Sequence, residues 1–107
     1  MRKYELMILV DPNLQEEQKT TLLDKIQQTI KTNQGKVNRV NKWGKRTLSY
    51  EIKRYREAFY IIIDFNLEPK NISELERSIK FDEEIIRYLI VLKQEKVVSK
   101  NVQEKEQ

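Results

Sequence analysis

Ala58-Phe59-Tyr60-Ile61-Ile62-Ile63-Asp64-Phe65-Asn66-Leu67 reads as a strand with two unlike faces. One parity collects Phe59, Ile61, Ile63, Phe65 and Leu67; the other collects Tyr60, Ile62, Asp64 and Asn66. Successive side chains leave a strand on opposite sides, so the first set points inward and the second outward. Upstream, Lys53 to Glu57 is a charged connection to another strand, which starts at Lys36 and runs to Ile52. There Leu48, Tyr50 and Ile52 alternate with Thr47, Ser49 and Glu51. Val37 and Val40 have opposite parity, so keeping both inward demands a bulge or a break between them.

The flanking elements complete an arrangement. Lys3 to Val10 is strand-like and ends at the turn Asp11-Pro12-Asn13, with Tyr4, Leu6, Ile8 and Val10 on its inward face. Asn13 is placed to cap a helix from Leu14 to about Asn33, with Leu14, Leu22, Leu23, Ile26 and Ile30 as its apolar stripe and Gly35 as its stop. Beyond the turn Glu68-Pro69-Lys70, a second helix spans Ile72 to Lys80, capped by Asn71 or Ser73, with Ile72, Leu75 and Ile79 inward. A last strand runs from Ile85 to Lys93. Residues 1–94 thus make one domain, and the polar, aperiodic stretch 95–107 reads as a disordered tail. The order β-α-β-β-α-β predicts an α+β, ferredoxin-like sandwich, with a four-stranded antiparallel sheet carrying both helices on one face.

The helix-free face should be polar if it only meets water. Its outward set is instead Met7, Leu9, Tyr60, Ile62, Leu89 and Val91, rimmed by Lys3, Arg87 and Lys93. An apolar patch with a basic border on a small domain predicts an interface. RNA-recognition modules use the same face and stack bases on aromatics of the third strand. In that register Arg56, Tyr60 and Ile61 fit, but Glu57, Ala58, Phe59 and Ile63 do not. The aliphatic patch suits a protein partner better than stacked bases.

Charge is concentrated in one window. Between Lys36 and Arg56 stand eight Lys/Arg and one acid, Glu51, which gives +7 against a whole-chain net of +4. The remainder therefore sums to −3, and a localised positive field is the footprint of a phosphate-binding surface. A solvated basic hairpin that protects an edge strand is the other reading of this segment.

The composition excludes several chemistries. The 107 residues contain no cysteine and no histidine, which removes disulfides, thiolate metal sites and the commonest general base. Two glycines, Gly35 and Gly44, cannot build a glycine-rich phosphate loop. The acidic groups Glu16/Glu17 and Asp82/Glu83/Glu84 lie at helix ends; dipole compensation or plain solvation accounts for the first, and a solvated turn for the second. In acylphosphatases, which share this fold, phosphate sits in the loop after the first strand; here that loop is Asp11-Pro12-Asn13-Leu14, whose acid would repel it. A metabolite-sensing dimer also uses this fold, although it needs no long basic hairpin. The N-terminus lacks signal-peptide architecture, and no apolar segment approaches the roughly 20 residues of a bilayer span. The expectation is a soluble intracellular protein without cofactor, metal, membrane contact or small-molecule substrate, and not an enzyme.

Gly44-Lys45-Arg46-Thr47-Leu48-Ser49-Tyr50-Glu51-Ile52-Lys53 resembles the signature of the bacterial small-subunit ribosomal protein six family. Arg2-Lys3-Tyr4-Glu5-Leu6-Met7, Asp11-Pro12-Asn13 and Asp82-Glu83-Glu84-Ile85-Ile86-Arg87 are similar to that family too, and the likeness extends over residues 1 to about 95. Thr47 departs from it, standing where the family usually has a charged or amide residue. The resemblance implies a cytoplasmic protein of the small ribosomal subunit that binds the central domain of the small-subunit ribosomal RNA. It also implies a heterodimer with small-subunit ribosomal protein eighteen. Carried onto this sequence, it suggests Arg2, Arg87, Lys45 and Arg46 as RNA contacts. Charge clustering adds Lys53 and Arg54, and the rim of the helix-free face adds Lys3 and Lys93.

Overall fold

A computed structural model describes residues 1–93, so the expectation for the tail concerns residues outside the described ones. The chain forms β1 (Arg2–Val10), α1 (Glu16–Thr32), β2 (Lys36–Ile52), β3 (Tyr55–Leu67), α2 (Ile72–Lys80) and β4 (Ile85–Leu92), with a short 3-10 turn at Pro69–Asn71. The strands pair antiparallel in the order β2-β3-β1-β4. Both helices cover one face, and the fold is the ferredoxin-like α+β sandwich that the element order implies.

The main core lies between that face and the helices. Leu6, Ile8 and Val10 of β1 and Ile63, Phe65 and Leu67 of β3 are fully buried against Leu22, Leu23, Ile26 and Ile30 of α1 and Leu75 and Ile79 of α2. Phe65 stacks on Tyr4 with ring centroids 5.6 Å apart. Each such side chain contributes about 1.5–3 kcal/mol by leaving water. Phe65→Ala would also open a cavity and cost about 3–5 kcal/mol.

The parity conflict in β2 is resolved by a bulge. Val37 pairs with Phe65 and Arg39 with Asp64, so Asn38 is the extra residue, and Val37 and Val40 both pack on the main core. Two further irregularities follow. Lys42 pairs with Ile61 and Gly44 with Tyr60, which leaves Trp43 as a second extra residue. Between the pairs Thr47↔Glu57 and Ile52↔Tyr55, the four residues Leu48 to Glu51 stand opposite Arg56 alone.

Several local expectations need correction. Asn13 does not cap α1, which begins after Gln15; the Gln15 amide donates to Gln18 Oε1 at 2.9 Å, while the Asn13 amide donates to Asp11 Oδ1 within the preceding turn. Asn71 occupies the N-cap position of α2 without capping it, and instead donates to the carbonyl of Asn33 at the end of α1. The connection Lys53 to Glu57 shrinks to the pair Lys53-Arg54, because β3 starts at Tyr55. Both residues have positive φ, 51° and 72°, the mark of a type I′ hairpin turn.

Candidate nucleic-acid and partner interface

The helix-free face is covered in part by the chain's own hairpin. Leu48 packs with Leu9, Ala58 and Ile86 in a second apolar cluster, with Ile52, Tyr55 and Tyr60 at its margin. The alternation of Leu48, Tyr50 and Ile52 thus serves the side away from the helices. Tyr50 reaches β4 across two intervening strands, where its hydroxyl accepts from Arg87 Nη1 at 3.2 Å. Tyr55 ties the same hairpin end to the β1–α1 loop by donating to Asp11 Oδ2 at 3.2 Å. That bond to a carboxylate, then the charge of Asp11, then burial hold the Tyr55 phenol above its ordinary pKa. Tyr88 is likewise raised by its 2.8 Å bond to Glu76, then by burial and the Glu76 charge.

This cover corrects the expected apolar surface. Leu9 and Ile62 have the predicted outward parity, yet they are only 7 % and 8 % exposed. Met7 and Tyr60 are half-buried. Leu89 and Val91, at 54 % and 42 %, are the members of the set that remain open. A groove of about 220 Å³ runs between the hairpin end and β4, over Met7, Tyr60 and Leu89.

The basic residues divide into two groups. Arg2 and Lys3 begin β1, and the Lys93 amide donates to the Lys3 carbonyl at 2.9 Å, so these three share one end of the sheet. Lys53 and Arg54 form the hairpin turn near the opposite end, with Lys45 and Arg46 on the strand leading to it and Arg87 bound to Tyr50 beside it. Lys3 pairs with Asn66 and Lys45 with Phe59, seven residues apart along β3. At ~3.3 Å per residue the two groups are separated by roughly 23 Å. Neighbouring cations also diverge. Lys45 lies on the helix side, its ammonium 5.6 Å from the Phe59 ring, where Lys19 of α1 sits closer at 3.5 Å. Arg46 lies on the other side, opposite Ala58.

Acidic partners occupy few of these cations. Asp64, half-buried in the middle of the sheet, holds Arg39 at 3.5 Å and Lys93 at 3.6 Å, and Glu51 holds Arg56 at 3.1 Å. Among the described residues, Lys36, Lys42, Lys45, Arg46, Lys53 and Arg54 form no ion pair. The acids that looked like a solvated turn have structural work: Asp82 accepts the Glu84 amide at 3.0 Å and meets Lys25 of α1 at 3.4 Å. No group of three His, Cys, Asp or Glu among the described residues is placed to hold a metal ion.

Sequence reasoning missed Trp43. It is 43 % exposed and stacks on Tyr60, with centroids 6.5 Å apart and planes within 8°. A lone tryptophan between basic residues, just before a glycine, was the available signal.

A small α+β sandwich with exposed cations at both ends and a partly open sheet face has the form of a binding module. The family model for ribosomal protein S6 matches residues 3–92. The chain is 46 % identical over 95 residues to the small ribosomal subunit protein bS6 of Heliobacterium modesticaldum, covering 89 % of this chain and 99 % of that one. It is 44 % identical to the same protein of Dictyoglomus turgidum, over 86 % and 95 % of the two chains. The crystal structure of 30S ribosomal protein S6 from Thermotoga maritima superposes with a TM-score of 0.82 at 33 % identity, covering 86 % of this chain and 87 % of that one. The chain belongs to the ribosomal protein S6 family, non-enzymatic structural proteins of the small ribosomal subunit in the cytoplasm.

Proposed function

We propose that the chain binds the central domain of the small-subunit ribosomal RNA together with small-subunit ribosomal protein eighteen. The observation that carries the RNA half is the set of hairpin cations without an acidic partner among the described residues, Lys36, Lys42, Lys45, Arg46, Lys53 and Arg54. A cation without a partner loses nothing internal when it takes a phosphate, and the counterions it displaces supply the driving force. Such contacts fix position and orientation and carry little sequence information. The open strip of Leu89 and Val91 beside the groove supports the protein half, with Met7 and Tyr60 at its floor. Arg2, Lys3 and Lys93 at the far end and Arg87 beside the hairpin extend the RNA surface, while Leu9 and Ile62 are buried and lie outside the open strip.

The test is binding to a central-domain RNA fragment, with and without ribosomal protein eighteen, titrated over salt. If about four cations engage phosphates, log affinity falls against log salt with a slope near −3. A slope near zero overturns the electrostatic account. Equal affinity with and without the partner overturns the joint-binding account.

A further inference from the structure

Trp43, Arg46 and Tyr60 form a layered cluster that neither the cation surface nor the apolar strip explains. The bulge at Trp43 creates it. Up to Asn41, odd-numbered residues of β2 face away from the helices, as the pairs Arg39↔Asp64 and Asn41↔Ile62 show. After the extra residue the parity inverts, because Arg46 pairs with Ala58. Trp43 and Arg46 therefore share a face that a regular strand would deny to one of them. Gly44 makes the bulge possible at φ 87°, and a Cβ there would meet nothing within 4 Å. The glycine is thus present for its backbone alone. The Arg46 guanidinium lies 5.5 Å from the Trp43 ring centroid and is held by one long bond, 3.4 Å, from Nε to the Trp43 carbonyl.

From this geometry we infer that Trp43, backed by Tyr60, is a stacking platform for one unpaired RNA base. The inference rests on the RNA-binding reading above and adds to it a contact to a base. The base takes the place of the guanidinium over the indole. Arg46 then exchanges an exposed cation–π contact and a long neutral bond for a shorter, charge-assisted bond to the phosphate of that nucleotide. Tyr60 remains beneath the indole and fixes the plane. Lys42 and Lys45 leave the same strand on the helix side, opposite Ile61 and Phe59, so Arg46 is the cation that the hairpin strand puts on the platform's own face, and its charge favours an anionic polymer over a neutral peptide.

Trp43 is the only tryptophan in the chain, so 5-fluorotryptophan labels this site alone. The full chain carrying that label is observed by fluorine NMR with ribosomal protein eighteen alone, and then with the central-domain RNA fragment added. The expected result is a resonance shift on RNA addition that the partner by itself does not produce. In parallel, Trp43→Leu should weaken RNA binding by about tenfold with the salt slope unchanged, and Trp43→Phe should recover part of the loss. Arg46→Ala should flatten the slope by about one unit. A full shift with the partner alone, and none further with RNA, assigns Trp43 to the protein interface and overturns the inference. Salt-sensitive RNA binding without any response at Trp43 also overturns it and leaves the proposed function standing. Absence of RNA binding by the unsubstituted protein overturns both.

Discussion

At the end of α1, Gln34 adopts φ 68° while Gly35, one residue later, meets β3 at a distance no Cβ tolerates. The Gly35 amide donates to the Ile30 carbonyl and the Gln34 amide to that of Lys31, both at 2.8 Å, which is a Schellman closure with Gln34 in the left-handed position. A glycine is normally favoured where Gln34 stands, yet here the glycine is needed where space is short. A Cβ on Gly35 would lie 2.5 Å from the Asn66 carbonyl oxygen and 2.7 Å from Leu67 Cδ1. Gly35→Ala should therefore destabilise the protein by about 1–3 kcal/mol through overpacking against backbone. Gln34→Gly, which relieves the strained φ, should stabilise it by up to about 1 kcal/mol. Urea melts of the two variants check the pair, and a stable Gly35→Ala would show that helix and strand do not approach as closely as described. The two tyrosines make a pH prediction. Their phenols are raised in the folded state, so the bonds to Asp11 and Glu76 stabilise fully below the unfolded value of 10.0 and are lost as pH climbs through the higher folded value. Thermal melts above pH 10 should show a steeper decline for the natural chain than for the double variant Tyr55→Phe/Tyr88→Phe.

The β2–β3 hairpin is where reading by element worked least well, and the reason is physical. Strand and helix identities were legible from periodicity, and the bulge between Val37 and Val40 followed from parity alone. What parity could not reveal was that the end of β2 leaves its neighbour and folds over the sheet, because alternation says which residues share a side and not what covers that side. Leu9 consequently read as open surface and proved buried with Leu48, and Ile62, paired between Met7 and Asn41, proved buried as well. The consequence is a sharp contrast between two substitutions on one face. Leu89→Asp, at a site 54 % exposed, should leave the melting temperature within a degree or two and weaken association with the partner protein. Ile62→Asp should destabilise the fold by several kcal/mol, because it buries a carboxylate two residues from Asp64 on the same face, between Met7 and Asn41. The hairpin turn was illegible for a different reason: Lys53-Arg54 lacks the Asn-Gly or Asp-Gly signal of a type I′ turn. Two long cationic side chains at positive φ cost stability, so Lys53→Asn/Arg54→Gly should stabilise the chain by about 1 kcal/mol. The same change should lower RNA affinity and flatten the salt slope by about 1–2 units if both cations meet phosphates. A more stable variant with undiminished RNA binding would remove the turn from the proposed RNA surface.

Across the whole molecule, the sequence window of +7 looked like one patch, and folding distributes the candidate cations between two ends of a body 44 Å long. The fold was legible because burial patterns are local; the shape of the charged surface was not, because it depends on which strand ends the topology brings together. Arg2 and Lys3 join Lys93 at one end through the β1–β4 pairing, while Lys53 and Arg54 stand at the other with Arg87. The separation has an energetic consequence. Sites more than about 10 Å apart that share no partner act independently, so their effects on binding free energy add within about 0.3–0.5 kcal/mol. An RNA long enough to touch both ends should therefore respond additively to Arg2→Ala/Lys3→Ala and to Lys53→Ala/Arg54→Ala. Each pair should flatten the salt slope by about 1–2 units, and the quadruple variant by their sum. Fluorescence anisotropy of a labelled central-domain fragment, over a salt series with the partner present, measures all four proteins in one format. Additivity in both affinity and slope means that the RNA runs along the long axis of the protein and neutralises both ends. If one pair has no effect on the slope, the RNA occupies a single end, and the other group of cations is then free for the partner or for solvent.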